Sequence, residues 1–471
     1  MVRITGKLSA LPRRTVFLSL LLMLTILGGR VAAETPQNVY QGPMIDAHHH
    51  FQVPGVWKSV SEALAQMDQA GIAKIVAFSD VGMSFSVFKQ YPDRLIPSYG
   101  VREGPPPYPQ AFDDPKWVEI LRQALDAGFV GIGEMSWRSS SHKPPHNMSA
   151  DNPVAKQIAD LAAEKGVPIN LHHEIGTKAF GPEMIPEFER LLDYNKDVKY
   201  VWAHTGYGSP APVARLMAAH SNLYADLSTR TPGHPFSSYP GFIANREGVI
   251  SPEWKQLFEK FPDRFMFGTD KGADVAFGPE ERAETYLIVE TAFFRKVLGQ
   301  LPLDLAERIG YANIQKVMKL GQPTNLSISL DRASAPVGSP IKVSGKLLPA
   351  MKGVTVALTY SSGGETRKRI LKTVDDGSFS ETITVEKTGQ WNFVASTPGV
   401  IGWTGSESTS VTLPVQEQRK ETTTTQRITS PEAQTISTSS SFPNETILVA
   451  AAAAVVAVAA LVFKMKRRTS S

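Results

Sequence analysis

Cysteine is absent from all 471 residues. That excludes a disulfide scaffold, and it removes the thiolate both as a metal ligand and as a nucleophile. Any bound metal must therefore be held by imidazole and carboxylate groups. A strong charge of one sign is missing too, since the formal net charge is only +4. Even that excess comes from the chain ends. Residues 1–33 carry five Lys and Arg, the stretch after Phe463 carries four, and neither has an acid, so the body between them is at −5. A mildly acidic body gives no electrostatic reason to expect a nucleic-acid partner. Long hydrophobic runs are scarce as well, one lying near each end of the chain.

The first run reads as an export signal over residues 1–33. Arg13 and Arg14 precede the apolar stretch Val16 to Leu27, and Val31-Ala32-Ala33 supplies a small-residue cleavage site. The second, residues 446–463, is uncharged and, at ~1.5 Å per residue, approaches bilayer thickness as a helix. The basic tail 464–471 follows at once, which by the positive-inside rule faces the cytoplasm. The expectation is a single-pass membrane protein with its body outside the cell. Residues 416–444, rich in Thr and Ser and without apolar period, read as a disordered stalk. Glycosylation sequons begin at Asn147, Asn325 and Asn444.

Between these ends the chain changes character once. Over residues 43–320, eight short apolar, β-branched runs alternate with helical spacing, and Gly71, Gly128 and Gly166 read as helix stops. The runs are Met44–His50, Ile72–Phe78, Leu95–Val101, Phe129–Met135, Val167–His172, Val198–His204, Leu223–Leu227 and Phe265–Thr269. Eight strand–helix units fit an α/β fold of the (β/α)8 TIM-barrel type, with a doubly wound open sheet as the alternative. Over residues 324–415, seven short alternating strands separated by turns such as Asp375-Asp376-Gly377 suggest an all-β, immunoglobulin-like sandwich. Nothing in it looks catalytic, and the expected role is that of a spacer.

The chemistry is expected at the strand ends. In the strand Met44–His50 side chains alternate, so His48 and His50 share one face and His49 takes the other. Two neutral imidazoles on one face make half of a metal site. In a barrel, the ends of different strands converge on one mouth. Glu134, one of His172 and His173, His204 and Asp270 each come at the end of a later run, and with His48 and His50 they form a candidate set.

Residues 43–320 resemble the amidohydrolase superfamily, in the branch that also holds metal-dependent decarboxylases. Ile45-Asp46-Ala47-His48-His49-His50 is similar to its opening motif. His172, His204-Thr205-Gly206 and Gly268-Thr269-Asp270 resemble its signatures on strands five, six and eight, and Tyr311-Ala312-Asn313 its closing helix. The resemblance implies a divalent metal cofactor, zinc first and manganese or iron as alternatives, with one or two ions. It implies that His48, His50 and Asp270 bind the first ion, completed by His172, while His204 binds a second or acts on the substrate. Glu134 stands where two-metal relatives keep a bridging group, which leans toward hydrolysis. The chemistry implied is metal activation of water and polarisation of a scissile carbonyl, with Asp270 passing the proton to the leaving group.

The expected activity is hydrolysis of a small-molecule ester, lactone or amide. Non-oxidative decarboxylation on the same fold and a non-catalytic surface scaffold are the alternatives, and a homo-oligomer is left open. Arg138, Asp226 and Arg230 are candidate substrate contacts, an arginine suiting a carboxylate-bearing substrate. His142 and His146 lie in a loop after strand four and are candidates to line the pocket. His173 is expected to face away from the site. The Pro/Gly-rich loop 231–251 has the length of a lid, with Phe236, Tyr239, Phe242 and Trp254 as its apolar lining.

Overall fold

The computed structural model describes residues 38–418, apart from 54, 80–82, 102–107, 110, 141–145, 233–240, 273–279 and the side chains of 280–284. The export segment, the stalk beyond Gln418, the apolar run 446–463, the basic tail, His142, Phe236 and Tyr239 therefore lie outside the described residues. Among the described residues, no helix is long and apolar enough to cross a membrane.

Eight parallel strands follow one another around a barrel: β1 (Met44–Phe51), β2 (Ile72–Ser79), β3 (Leu95–Val101), β4 (Ile132–Ser139), β6 (Ile169–His173), β7 (Tyr200–Trp202), β8 (Leu223–Asp226) and β9 (Phe265–Met266). The two-residue β5 (His146–Asn147) adds antiparallel to β4. Backbone hydrogen bonds join the first and last members, Ala47 N to Phe267 O, Asp270 N to His48 O and His50 N to Lys271 O, at 2.8–2.9 Å. Sequential order with a bridged seam is a barrel, and the doubly wound alternative falls.

The helices between the strands start and stop for local reasons. Ser59 accepts from Glu62 N to begin the helix Val60–Ala70, which ends at Gly71 in the left-handed region. Asn152 caps Pro153–Lys165 in the same way, with Pro153 in its first turn and Gly166 as its stop. Their apolar faces pack on the outer face of the strands in one continuous core. Inside the barrel, Ile45, Ala47, Val76, Phe78, Ile96, Val201 and Met266 meet Tyr311, Ile314, Val317 and Met318 from the last helical segment, which closes the floor.

Beyond the barrel, nine strands form two sheets. One has the order β10 (Asn325–Leu330), β12 (Pro340–Leu348), β15 (Ser378–Thr384). The other runs β11 (Ala335–Pro336), β18 (Val411–Gln416), β16 (Gly389–Val400), β13 (Thr355–Ser362), β14 (Glu365–Lys372), with β17 (Trp403–Glu407) on β16. Ile341, Val343 and Ile383 of the first sheet face Leu358, Tyr360, Trp391 and Phe393 of the second, so the region is a sandwich. It packs directly against the barrel. The turn between β16 and β17 sits under the barrel floor. There Tyr311 Oη donates to Gly399 O at 2.8 Å, Gln315 Nε2 to Val400 O at 3.1 Å, and Gly402 N to Gln315 Oε1 at 2.9 Å. Ile401 packs against the same floor cluster, and Lys368 Nζ pairs with buried Asp304 at 2.9 Å.

Candidate metal centre

All six candidates, His48, His50, Glu134, His172, His204 and Asp270, meet at the C-terminal mouth of the barrel, and all are buried. The alternation expected of β1 holds. His48 and His50 face the centre, while His49 turns away, its Nδ1 2.9 Å from Asp46 and its Nε2 accepting from Trp57 Nε1 at 3.2 Å. Two other expectations need correction. The strand expected to reach His204 stops at Trp202, and the one expected to reach Thr269 stops at Met266. His204 and Asp270 instead occupy left-handed backbone, at φ 55° and 57°.

The departure at His204 is a turn of four consecutive left-handed residues, His204 to Tyr207, three of them not glycine. Such a backbone costs ~1–2 kcal/mol per non-glycine residue, so the surroundings must hold it. Gly206 is needed there, because a Cβ would lie 2.2 Å from the Trp202 ring and 2.6 Å from His173 O. His204 N donates to Asp226 Oδ1 at 3.0 Å, and Ile175 N to Gly206 O at 2.9 Å. Gly133 serves β4 similarly. A side chain there would meet Asn170 O at 2.5 Å, so its absence lets β4 and β6 approach behind Glu134.

Glu134 stands at the middle of the centre. Its Oε2 lies 3.4 Å from His50 Nε2 and 3.7 Å from His48 Nε2. Its Oε1 lies 2.7 Å from His172 Nδ1 and 3.4 Å from His204 Nε2. One carboxylate thus addresses two different histidine pairs. Asp270 faces the same way from the opposite wall, with Oδ1 3.0 Å from His50 Nε2 and 3.4 Å from His48 Nε2, and Oδ2 3.9 Å from His204 Nε2.

Electrostatics bind these groups together. Burial alone would raise the pKa of Glu134, but His48 and His172 outweigh it and hold the carboxyl well below its usual range. Burial likewise opposes charge on the rings. The carboxylates of Asp226, Glu134 and Asp270 nonetheless hold His48 well above the ordinary imidazole value. Glu134 and Glu174, against the same penalty, push His172 up to about 10. His173 behaves oppositely. It stacks on Phe188, its Nε2 meets Met184 O at 3.1 Å, and burial takes it down to about 4.

A divalent cation fits this donor set. Three groups of ligand atoms lie within 4.8 Å of one another: His48, His50 and Glu134; Glu134, His172 and His204; and His48, His204 and Asp270. His48 Nε2 is buried and makes no hydrogen bond among the described residues, although two carboxylates lie beside it. A buried ring nitrogen in that state is aimed at something other than protein. Four imidazoles with two carboxylates match zinc, manganese or iron chemistry.

The three candidate substrate contacts do other work. Arg138 is held by Glu187 through two 2.7 Å bonds. Asp226 is fully buried against His48. Arg230 donates to the carbonyls of His204, Gly208 and Gly241 and lies against the Tyr207 and Trp254 rings. Burial brings its pKa down to about 9. It ties the left-handed turn to the backbone at Gly241. Trp254 is buried in a helix, Pro252–Lys260, and belongs to the core. His146 lies on β5, its Nδ1 3.2 Å from Ser136 O. Asn313 plays a structural part, donating through Nδ2 to Pro262 O and Phe265 O.

Sequence reasoning missed the residues that orient the ligands. Glu174 Oε1 lies 3.0 Å from His172 Nε2 and is itself held by Ser140 and Thr177. Asp46 accepts from His48 N and Thr269 N, fixing the two ends of the seam together. Tyr207 stacks on His204 with ring centres 5.3 Å apart. Glu174, two positions after His172, and Asp46, two positions before His48, were the available signals.

A closed parallel barrel with imidazoles and carboxylates converging at its strand ends defines a metal-dependent barrel enzyme. The chain belongs to the amidohydrolase family, whose sequence model matches residues 45–320. No curated protein matches the chain. Several solved structures match short parts of it. The D0-D1 domain of Intimin is 17% identical over 18% of this chain and 46% of its own, with a TM-score of 0.14, so the chain spans a little under half of that structure. The CARDB domain of a Pyrococcus furiosus protein in complex with di-metal ions is 11% identical over 20% of this chain and 94% of its own, at 0.16. A sporulation control protein from Bacillus subtilis is 10% identical over 20% and 50%, at 0.15. Scores this low carry no argument about fold or function.

Proposed function

We propose that the chain is a metal-dependent hydrolase of a small-molecule ester, lactone or amide, holding two divalent ions. The observation that carries this reading is the division of Glu134 between two histidine pairs. His48 and His50 with Glu134 Oε2 would hold one ion, and His172 and His204 with Glu134 Oε1 the other, with Asp270 facing both groups. Divalent ions in such a centre supply Lewis acidity toward a carbonyl and acidify water. The chain's own contribution is orientation and proton transfer. Asp270, whose carboxyl is held below its usual range despite burial, is ionised at neutral pH and suited to accept a proton and pass it to a leaving group. Phe78 packs edge-on against His48 and His50, shielding the centre from below.

The export segment and the apolar run 446–463 support placing this activity outside the cell on a single membrane anchor. The strand pattern of residues 324–415 supports an immunoglobulin-like class for the sandwich. The test of the catalytic reading is elemental analysis of the purified full-length protein together with assay against ester, lactone and amide panels. Close to two ions per chain with hydrolytic turnover is the expected result. One ion, with turnover only of conjugated or aromatic acids, would replace it with decarboxylation. No ion after reconstitution would refute both.

A further inference from the structure

Asp226 ends β8 with no solvent exposure and accepts five hydrogen bonds. Its Oδ2 takes one from His48 Nδ1 at 3.0 Å and one from Asn170 Nδ2 at 3.1 Å. Its Oδ1 takes one from His204 N at 3.0 Å, one from Ser228 N at 3.2 Å and one from the Ser228 hydroxyl at 2.5 Å. Ser228 Oγ in turn lies 2.8 Å from His204 Nδ1, and Ser228 O lies 3.3 Å from the same nitrogen.

Proton counting along this chain leaves one arrangement. An ionised carboxylate only accepts, so the proton between it and His48 sits on His48 Nδ1. A serine hydroxyl has a single proton. Once Ser228 gives it to Asp226, its oxygen can only accept from His204, so the His204 proton also sits on Nδ1. The Ser228 carbonyl, an acceptor too, enforces the same choice. Both rings therefore keep a proton on Nδ1 and direct Nε2, the nitrogen from which a metal ion would displace any second proton, toward Glu134 and Asp270.

We infer that Asp226 and Ser228 are positioning residues that lock His48 and His204 in the same tautomer, Asp226 directly and Ser228 as a relay. The inference rests on the two-ion reading above for its consequence, although the lock itself is a property of the protein alone. One buried carboxylate thus prepares a ligand in each of the two histidine groups and also clamps the left-handed turn that carries the second. The lock has a directional consequence. Ser228 serves only His204, whereas Asp226 serves both rings. Removing a hydrogen-bond partner behind a metal-binding histidine typically costs 10–100-fold in metal affinity.

The test uses the full-length protein, zinc ions with a competing chelator, and 15N-histidine spectra that read which ring nitrogen carries the proton. Ser228→Ala is expected to weaken one zinc equivalent by 10–100-fold while the other changes less than about twofold, and to shift the His204 Nδ1–H signal, left with only the longer bond to Ser228 O, while the His48 signal is unmoved. Asp226→Asn is expected to weaken both equivalents. Equal weakening of both sites by Ser228→Ala would overturn the relay, as would an unchanged His204 spectrum. An Nδ1 found unprotonated on either ring of the wild-type protein would overturn the lock. If Asp226→Asn does not fold, Ser228→Ala and the wild-type spectra decide the matter without it. A wild-type chain that takes a single ion refutes the two-ion reading, and the spectra then still judge the lock by themselves.

Discussion

Glu290 offers the sharpest link between this fold and pH. It lies in the helix Glu280–Leu298, is 8% exposed, and takes its one described hydrogen bond from the Thr231 hydroxyl, 2.9–3.0 Å from both carboxyl oxygens. A hydroxyl has one proton, so among the described residues a charged Glu290 has a single neutral donor. Burial pushes its pKa from 4.5 up to about 7, with Thr231 only partly opposing. A raised carboxyl pKa means that the folded state binds this proton more tightly than the unfolded chain. Its contribution is fully present below pH 4.5 and is lost as the pH rises through about 7. At one pKa unit per 1.36 kcal/mol, ionised Glu290 costs the fold about 3 kcal/mol above pH 8. Glu290→Gln keeps the shape and an acceptor for Thr231 but has no charge to bury. The variant should therefore melt roughly 5 °C or more above the wild type at pH 8.5, with the gap shrinking to about a third or less at pH 5. Thermal unfolding of both proteins, metal-saturated and in matched buffers, measures it. A difference in melting temperature that stays flat across this range would refute the argument.

Other outcomes follow from the metal centre and the barrel floor. Glu134→Gln should leave the fold intact and remove one of two ions, read by elemental analysis. His48→Ala or Asp270→Asn should lose metal and turnover while the sandwich stays folded by limited proteolysis, and full metal content with full turnover in either would rule out the site. Zinc loading at pH 7.5 should release about two protons per chain in a pH-stat, because His48 and His172 are held protonated by their carboxylate neighbours until metal displaces them. A chain ended at Leu320 should be less stable and less soluble, since it strips the β16–β17 turn from Tyr311, Ile314 and Met318. A barrel that melts unchanged without the sandwich would show the floor contact to be incidental.

What was legible in the sequence was whatever repeats or alternates. Period-two alternation put His48 and His50 on one side of β1, and the glycine stops marked the helix ends correctly because a left-handed terminal residue excludes most side chains. The eight runs found the barrel because each strand is buried on both faces and reads as an apolar block. The errors fall where the backbone leaves regular structure. Nothing in Val201-Trp202-Ala203-His204 distinguishes a strand that continues from one that turns left-handed, and Gly206, one glycine among several, marks the turn only once Trp202 and His173 are seen to crowd it.

The residues that hold the ligands were illegible for a different reason. Arg138, Asp226 and Arg230 are charged residues after strand ends, and such residues invite a reading as substrate contacts. Whether a charge at the mouth is free or spent depends on partners distant along the chain: Glu187 for Arg138, the carbonyls of residues 204, 208 and 241 for Arg230, and His48, 178 residues away, for Asp226. Local pattern carries no trace of such pairings. Yet they decide the chemistry, because a histidine becomes a useful ligand or base only when the group behind it settles where its proton sits. In this barrel the visible histidines state what kind of centre is present, while the buried acids behind them, Asp226 behind His48 and His204, Glu174 behind His172, determine which nitrogen each ring offers.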